Sequence, residues 1–233
     1  MYYFLSHLAF VDLCYSSAIT PKMMVNFVVE HNTIAFYACA MQLGCFLTFM
    51  ITECFLLASM AYDRYVAISN PLRYSVVMSR RVCWLMVALC WLSGLVDGLI
   101  QAIYTLSFPY CGSQEIDHFF CDIPAVLKLA CADTSLYQTM IYVCCVIMLL
   151  LPFSVISVSY LLIFVTVLRM HSAEGRKKAF ATCSSHMAVV SLFYGAAMIT
   201  YMRPQTYHSS KQDKVVSALG HVYRKLGVII TIL

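Results

Sequence analysis

Apolar positions come in long blocks along this chain, separated by short polar segments. Five stretches, at about 2–29, 36–62, 83–106, 138–168 and 179–201, stay predominantly apolar for roughly 20 residues or more, the length at which a helix crosses a hydrocarbon core. Each predicts a membrane-spanning helix, and the fold class is all-α, a polytopic transmembrane bundle. Pro21, Glu53, Asp97 and Pro152 interrupt these stretches. Bundles tolerate such breaks where neighbouring helices or water satisfy the freed groups.

The polar segments orient the spans. Asp63 to Val82 carries Arg64, Arg73, Arg80 and Arg81 against one acid, and Arg169 to Lys178 carries Arg169, Arg176, Lys177 and Lys178 against Glu174. The excess of Arg and Lys predicts both as cytoplasmic loops. The segment Ser107 to Tyr137 holds Glu115, Asp117, Asp122 and Asp133 against Lys128, and the link Glu30 to Ala35 has no Lys or Arg, so both fall outside. The alternation is consistent and puts Met1 on the cytoplasmic side. Met202 to Lys214 falls outside by parity although mildly basic. The tail from Val215 carries His221, Arg224, Lys225, Gly220 and Gly227, and only Gly227 to Leu233 is continuously apolar, too short to span. An interfacial or disordered tail is expected there.

Composition sharpens this picture. Of 233 residues, 62% are hydrophobic and 11% charged, more apolar surface than one water-soluble core of this size buries. The net charge of +4 is a topological signal, with no basic run interleaved with aromatics that would suit nucleic acid. There is no basic segment, short apolar run and cleavage site at the N-terminus, so the first apolar helix is expected to direct insertion itself. Of the twelve cysteines, Cys14, Cys45, Cys54, Cys90, Cys144 and Cys145 lie in apolar stretches as small hydrophobes. Cys111, Cys121 and Cys131 share one polar segment, an odd number that needs a partner elsewhere, and Cys39 lies near the same boundary. Spacing leaves the connectivity open. No nucleophile–base set, phosphate loop or closed metal site appears, so no enzyme is expected, and no cofactor. The absence of internal repeats and of charge rings argues against a transporter or channel.

Four segments carry a resemblance. The second stretch ends in Met60-Ala-Tyr-Asp-Arg-Tyr-Val-Ala-Ile68, followed by Asn70-Pro-Leu-Arg-Tyr74; the others are Leu5-Ser-His-Leu-Ala-Phe-Val-Asp-Leu-Cys14 with Pro21-Lys-Met23, Asp117-His-Phe-Phe-Cys-Asp122, and Lys178-Ala-Phe-Ala-Thr-Cys-Ser-Ser-His186. Together, in this order, they resemble the olfactory receptors, rhodopsin-like members of the G-protein-coupled receptors, from Met1 to about Ala218. The five stretches then resemble family helices two to six of a seven-helix receptor. The expected organisation is a partial seven-helix domain over 1–218 and a divergent tail over 219–233.

The resemblance implies roles residue by residue. Asp63, Arg64 and Tyr65 become the activation and G-protein-coupling signature, in which Arg64 pairs with the adjacent acid at rest and is released on activation; a snorkelling Arg at a helix end is the plainer reading. Tyr160 becomes a tyrosine that holds the opened state. Arg64, Arg169, Arg176, Lys177 and Lys178 would form a basic rim for the G protein, although any positive-inside rim looks alike. The resemblance implies disulfides Cys39–Cys121 and Cys111–Cys131. His118, Cys121 and Asp122 have a spacing that suits copper or zinc, but disulfide use of Cys121 competes with it, and no metal is assigned. Asp12 and Glu53, acids within apolar helices, become a candidate ion site sharing a cation or proton; two neutral, hydrogen-bonded carboxyls are the alternative.

On the ligand side, Leu43, Phe46, Leu47, Met50, Ile51 and Cys54 recur at helical spacing and share one face, ordinarily packing core. The resemblance turns the outer helix halves into an odorant pocket of Phe46, Leu47, Met50, Ile51, Cys144, Cys145, Met148, Tyr194, Ala197, Met198 and Tyr201. Tyr194 takes the place where many other rhodopsin-like receptors keep a Trp. So apolar a lining suits a small volatile or lipophilic ligand.

Two departures stand out. The resemblance begins within the second-helix motif, and Asn26, Asn32 and Asn70 all fail as glycosylation sequons. After Ala218 the chain runs Leu219-Gly-His-Val-Tyr-Arg-Lys225 where the family continues into a seventh helix with an Asn-Pro-x-x-Tyr element. A fragment, splice variant or frameshifted end is expected. The function implied is an odorant receptor activating a stimulatory G protein, multi-pass in the plasma membrane, with the lipid bilayer, a small odorant and that G protein as partners and no nucleic acid. The alternative is a truncated, non-signalling relative retained in the endoplasmic reticulum or pairing with intact receptors.

Overall fold

The computed structural model describes residues 1–28, 36–110, 126–127, 129–170 and 172–201, with the backbone alone at 19–28, 36–37 and 199–201. Among these, six α-helices occur: α1 (Tyr2–Val28), α2 (Phe36–Ser69), α3 (Tyr74–Val77), α4 (Arg80–Leu106), α5 (Ser135–Leu168) and α6 (Ala173–Tyr201). A 3-10 turn, Pro71–Arg73, joins α2 to α3. Three helices are long and apolar enough to cross a bilayer, namely Ala38–Ser69 within α2, then α4 and α5. The tail from Val215, the link 30–35 and the His118, Cys121, Asp122 cluster lie outside the described residues.

Helices overrun the apolar blocks that announce them. The stretch ending near residue 62 continues as helix to Ser69, and α6 begins at Ala173 rather than 179. The segments at 63–69 and 173–178, expected as loop, are therefore helical. Apolar length measures bilayer thickness, whereas helix propagates by local hydrogen bonds until something stops it. At α2 the stop is Pro71, which disfavours helical geometry at Asn70. The Asn70 N–H donates to the Val66 carbonyl at 3.0 Å and closes the final turn.

Capping sets the other ends. The Ser172 hydroxyl accepts from the Gly175 N–H at 3.2 Å, an N-cap for α6. At α5 the Asp133 carboxylate accepts from the Ser135 N–H at 3.0 Å and from its hydroxyl at 2.5 Å, and these bonds hold its carboxyl below the usual range. A negative charge there also complements the helix dipole.

The described chain divides into two compact units. One comprises Met1–Ala9, Cys54–Ala88 and the chain from Cys145 on, the other Phe10–Glu53 and Leu89–Cys144. In the first, Ile163, Val167 and Cys183 form a buried cluster against which Tyr65, Ile68, Tyr160, Met170 and Ala179 pack. Ser69 and Thr166 share a hydroxyl–hydroxyl hydrogen bond of 3.1 Å, tying the end of α2 to α5.

In the second unit α4 lies against α2 at a separation only glycine permits. A Cβ on Gly94 would stand 2.5 Å from the Thr48 carbonyl oxygen, and one on Gly98 2.8 Å from that of Gly44. Trp91 is flanked by Phe10 and Phe49, with ring centroids 6.0 and 6.2 Å away. The helices differ in burial: 78% of the most apolar window of α2 is covered, against 28% for α4 and 17% for α5, whose apolar flanks suit lipid.

Candidate functional site

The activation signature sits on the last turns of α2, in the first unit. Asp63 and Arg64, 1% and 7% exposed, diverge because successive helical residues face directions about 100° apart. The Asp63 carboxylate accepts from the Tyr74 hydroxyl at 2.8 Å and lies 3.3 Å from the Met1 amine. Burial and that carboxylate push the Tyr74 phenol up to about 12. The Arg64 guanidinium donates instead to the Thr182 carbonyl of α6, and its Nε is buried with no hydrogen-bond partner among the described residues. The expected Asp63–Arg64 pair is thus replaced by two separate attachments. Tyr65 packs on the Ile163, Val167 and Cys183 cluster.

Tyr160 on α5 reaches the His186 Nδ1 of α6 at 2.5 Å, with the rings 5.8 Å apart. His186 is fully buried and its Nε2 has no partner among the described residues. Sequence reading gives neither His186 nor Thr182 a role. The signal for His186 is a histidine in an apolar helix; for Thr182 there is none, because the contact uses its backbone carbonyl.

Of the expected basic rim, Arg169, Arg176, Lys177 and Lys178 are exposed and Arg64 is not, since its charge is turned inward to α6. Lys178 and Glu174 form an exposed i,i+4 pair of 2.9 Å, which contributes a few tenths of a kcal/mol.

The expected ligand residues fall in both units. In the second, Phe46, Leu47, Met50 and Ile51 are buried on one face of α2, Phe46 meeting Tyr15 at 5.6 Å, and Cys144 is exposed. In the first, Tyr194 and Ala197 are buried and Cys145, Met148 and Met198 half-buried; the side chain of Tyr201 lies outside the described residues. The Tyr194 hydroxyl donates to the Cys54 carbonyl at 3.3 Å, and its ring meets Phe153 and Phe193 at 5.4 and 5.2 Å. Asp12 is half-buried and Glu53 buried, both in the second unit. Cys39 and Cys131 are each disulfide-bonded, and the expected partners Cys121 and Cys111 lie outside the described residues.

Apolar helices of bilayer length and an Asp-Arg-Tyr end docked on a neighbouring helix fit a helical membrane bundle of the G-protein-coupled receptor type. The olfactory receptor family model matches residues 1–226. Human olfactory receptor 2T1 is 61% identical over 217 residues, covering 93% of this chain, and human olfactory receptor 2T27 is 58% identical over 218 residues, covering 94%. Mouse olfactory receptor 2V1 is 56% identical over 217 residues, covering 93% of this chain. The chain belongs to the olfactory receptor family, and is a multi-pass protein of the plasma membrane and not an enzyme. It spans 59% of the length of the 2T1 relative and 69% of each of the other two.

Proposed function

We propose that this chain detects a small volatile or lipophilic odorant from within the bilayer and activates a heterotrimeric G protein of the stimulatory type. The observation that carries the reading is the seating of Arg64: a buried guanidinium held on the Thr182 carbonyl of α6 with its Nε unmatched. A buried charge with incomplete hydrogen bonding is high in free energy. A modest shift of α6 that withdraws Thr182 would release it. The exposed charges of Arg169, Arg176, Lys177 and Lys178, in the same unit, would then receive a G-protein helix. Tyr160 and His186 couple α5 to α6, so displacement of one is felt by the other.

Ligand binding is assigned to the apolar face of α2 at Phe46, Leu47, Met50 and Ile51, whose chemistry rewards burial of a hydrocarbon surface. Asp12 and Glu53 would share a cation or proton that biases the resting state. The test is odorant-panel cAMP signalling in cells displaying this chain, with surface amount quantified and Arg64→Ala as control. A response that Arg64→Ala removes is expected. Silence at good surface display would overturn the signalling reading.

A further inference from the structure

We propose that Asp97 and Gln101 of α4 form a specificity site for the ammonium group of a small amine; this rests on the odorant-binding reading above. The two residues stand one turn apart and share a face. The Gln101 Nε2 donates to the Asp97 Oδ2 at 2.6 Å, with Asp97 9% and Gln101 6% exposed. Because the amide nitrogen is committed to the carboxylate, its oxygen points away from that bond. That Oε1 is buried and has no hydrogen-bond partner among the described residues.

The surroundings do not satisfy it. Tyr137 donates its hydroxyl proton to the Gln101 backbone carbonyl at 3.0 Å, which leaves the Thr105 hydroxyl to donate to the Tyr137 oxygen, also at 3.0 Å. Both donors are therefore used. Nor does Asp97 form an ion pair among the described residues, whose pairs are Met1 with Asp63 and Lys178 with Glu174. What the pair offers is one negative charge and a buried acceptor, on a helix face whose neighbouring buried positions are Gly94, Gly98, Ala102 and Thr105.

Burying a carboxylate within a membrane helix is expensive unless a cation meets it. An ammonium brings the missing charge and three N–H donors, enough for the free carboxylate oxygen and the Gln101 Oε1 together. A hydroxyl brings one donor and no charge. The selectivity expected is for an amine over the alcohol of the same chain length.

The experiment uses the full chain in lipid nanodiscs at neutral pH, with hexylamine and 1-hexanol as probes and ligand-induced thermal shift as the readout. Hexylamine should bind at least about tenfold more tightly than 1-hexanol. Asp97→Asn should remove that preference by weakening hexylamine at least about tenfold, with a far-UV circular dichroism spectrum like that of the unaltered chain showing that the variant is folded. Gln101→Met keeps the charge and should weaken hexylamine by about three- to tenfold. Equal affinity of the two probes for the unaltered chain, or hexylamine binding indifferent to Asp97→Asn, overturns the proposal. Should Asp97→Asn fail to fold, Gln101→Met decides: unchanged hexylamine affinity then overturns it. Hexylamine binding that depends on Asp97, in a chain that signals to no odorant, leaves the site standing and removes the signalling reading. Signalling to uncharged odorants with no amine preference does the reverse.

Discussion

Single residues near the end of α2 divide their bonding in a way that motif spelling does not reveal. Asp63 turns to Tyr74 while Arg64 turns to Thr182, so two neighbours in sequence restrain different parts of the chain. Tyr160→Phe removes the hydroxyl from the His186 Nδ1, and a buried ring nitrogen left without its partner should lower stability by about 1–3 kcal/mol. Thermal unfolding of the detergent-solubilised protein measures this; an unchanged midpoint would show that the bond contributes nothing. Tyr74 offers a titration. Its folded-state pKa, pushed up to about 12, lies above the ordinary phenol value, so its contribution to stability is complete below about pH 10 and disappears as pH rises through about 12. The tyrosinate absorbance of the wild type minus that of Tyr74→Phe should therefore have its midpoint near 12. A midpoint near 10 would mean that the phenol is free in solution.

At the level of elements, α4 meets α2 through small residues. The face of α2 bearing Leu43, Phe46, Leu47, Met50 and Ile51 is readable from spacing and is buried as spacing implies. The reason α4 approaches so closely is less readable, because Gly94 and Gly98 carry no hydrophobic signal and matter only once Thr48 and Gly44 lie opposite. Gly94→Leu should force α4 away from α2 and destabilise by at least about 1–3 kcal/mol. Leucine at the neighbouring lipid-facing Val96 should be near neutral, and unfolding midpoints of the two variants test the contrast. Asp133, hydrogen-bonded at the start of α5, has its folded-state pKa lowered. Its contribution is present above the ordinary carboxyl value and lost as pH falls through the lowered one, so below about pH 4 the wild type should lose thermal stability more steeply than Asp133→Asn.

For the whole molecule the sharpest remaining question is covalent. Cys39 and Cys131 are bonded, and peptide mapping without reduction should recover Cys39–Cys121 and Cys111–Cys131. Recovery of a Cys39–Cys111 peptide would refute that pairing. Reduction should cost about 2–5 kcal/mol of stability. Much of this protein is determined by its sequence alone. Lipid as solvent, a helical membrane bundle and membership of the olfactory receptor family follow from block hydrophobicity and four local motifs, and of the five apolar stretches three form helices long and apolar enough to cross a bilayer among the described residues. These are properties of contiguous residues, and contiguity is what a sequence displays. Tertiary structure alone decided where helices end beyond the apolar blocks, which carbonyl receives Arg64, that His186 rather than another residue meets Tyr160, and that Gln101 keeps a buried acceptor unmatched beside Asp97. Each of those depends on backbone atoms or on residues distant along the chain, and their free energies are set by burial and geometry that no spacing rule encodes.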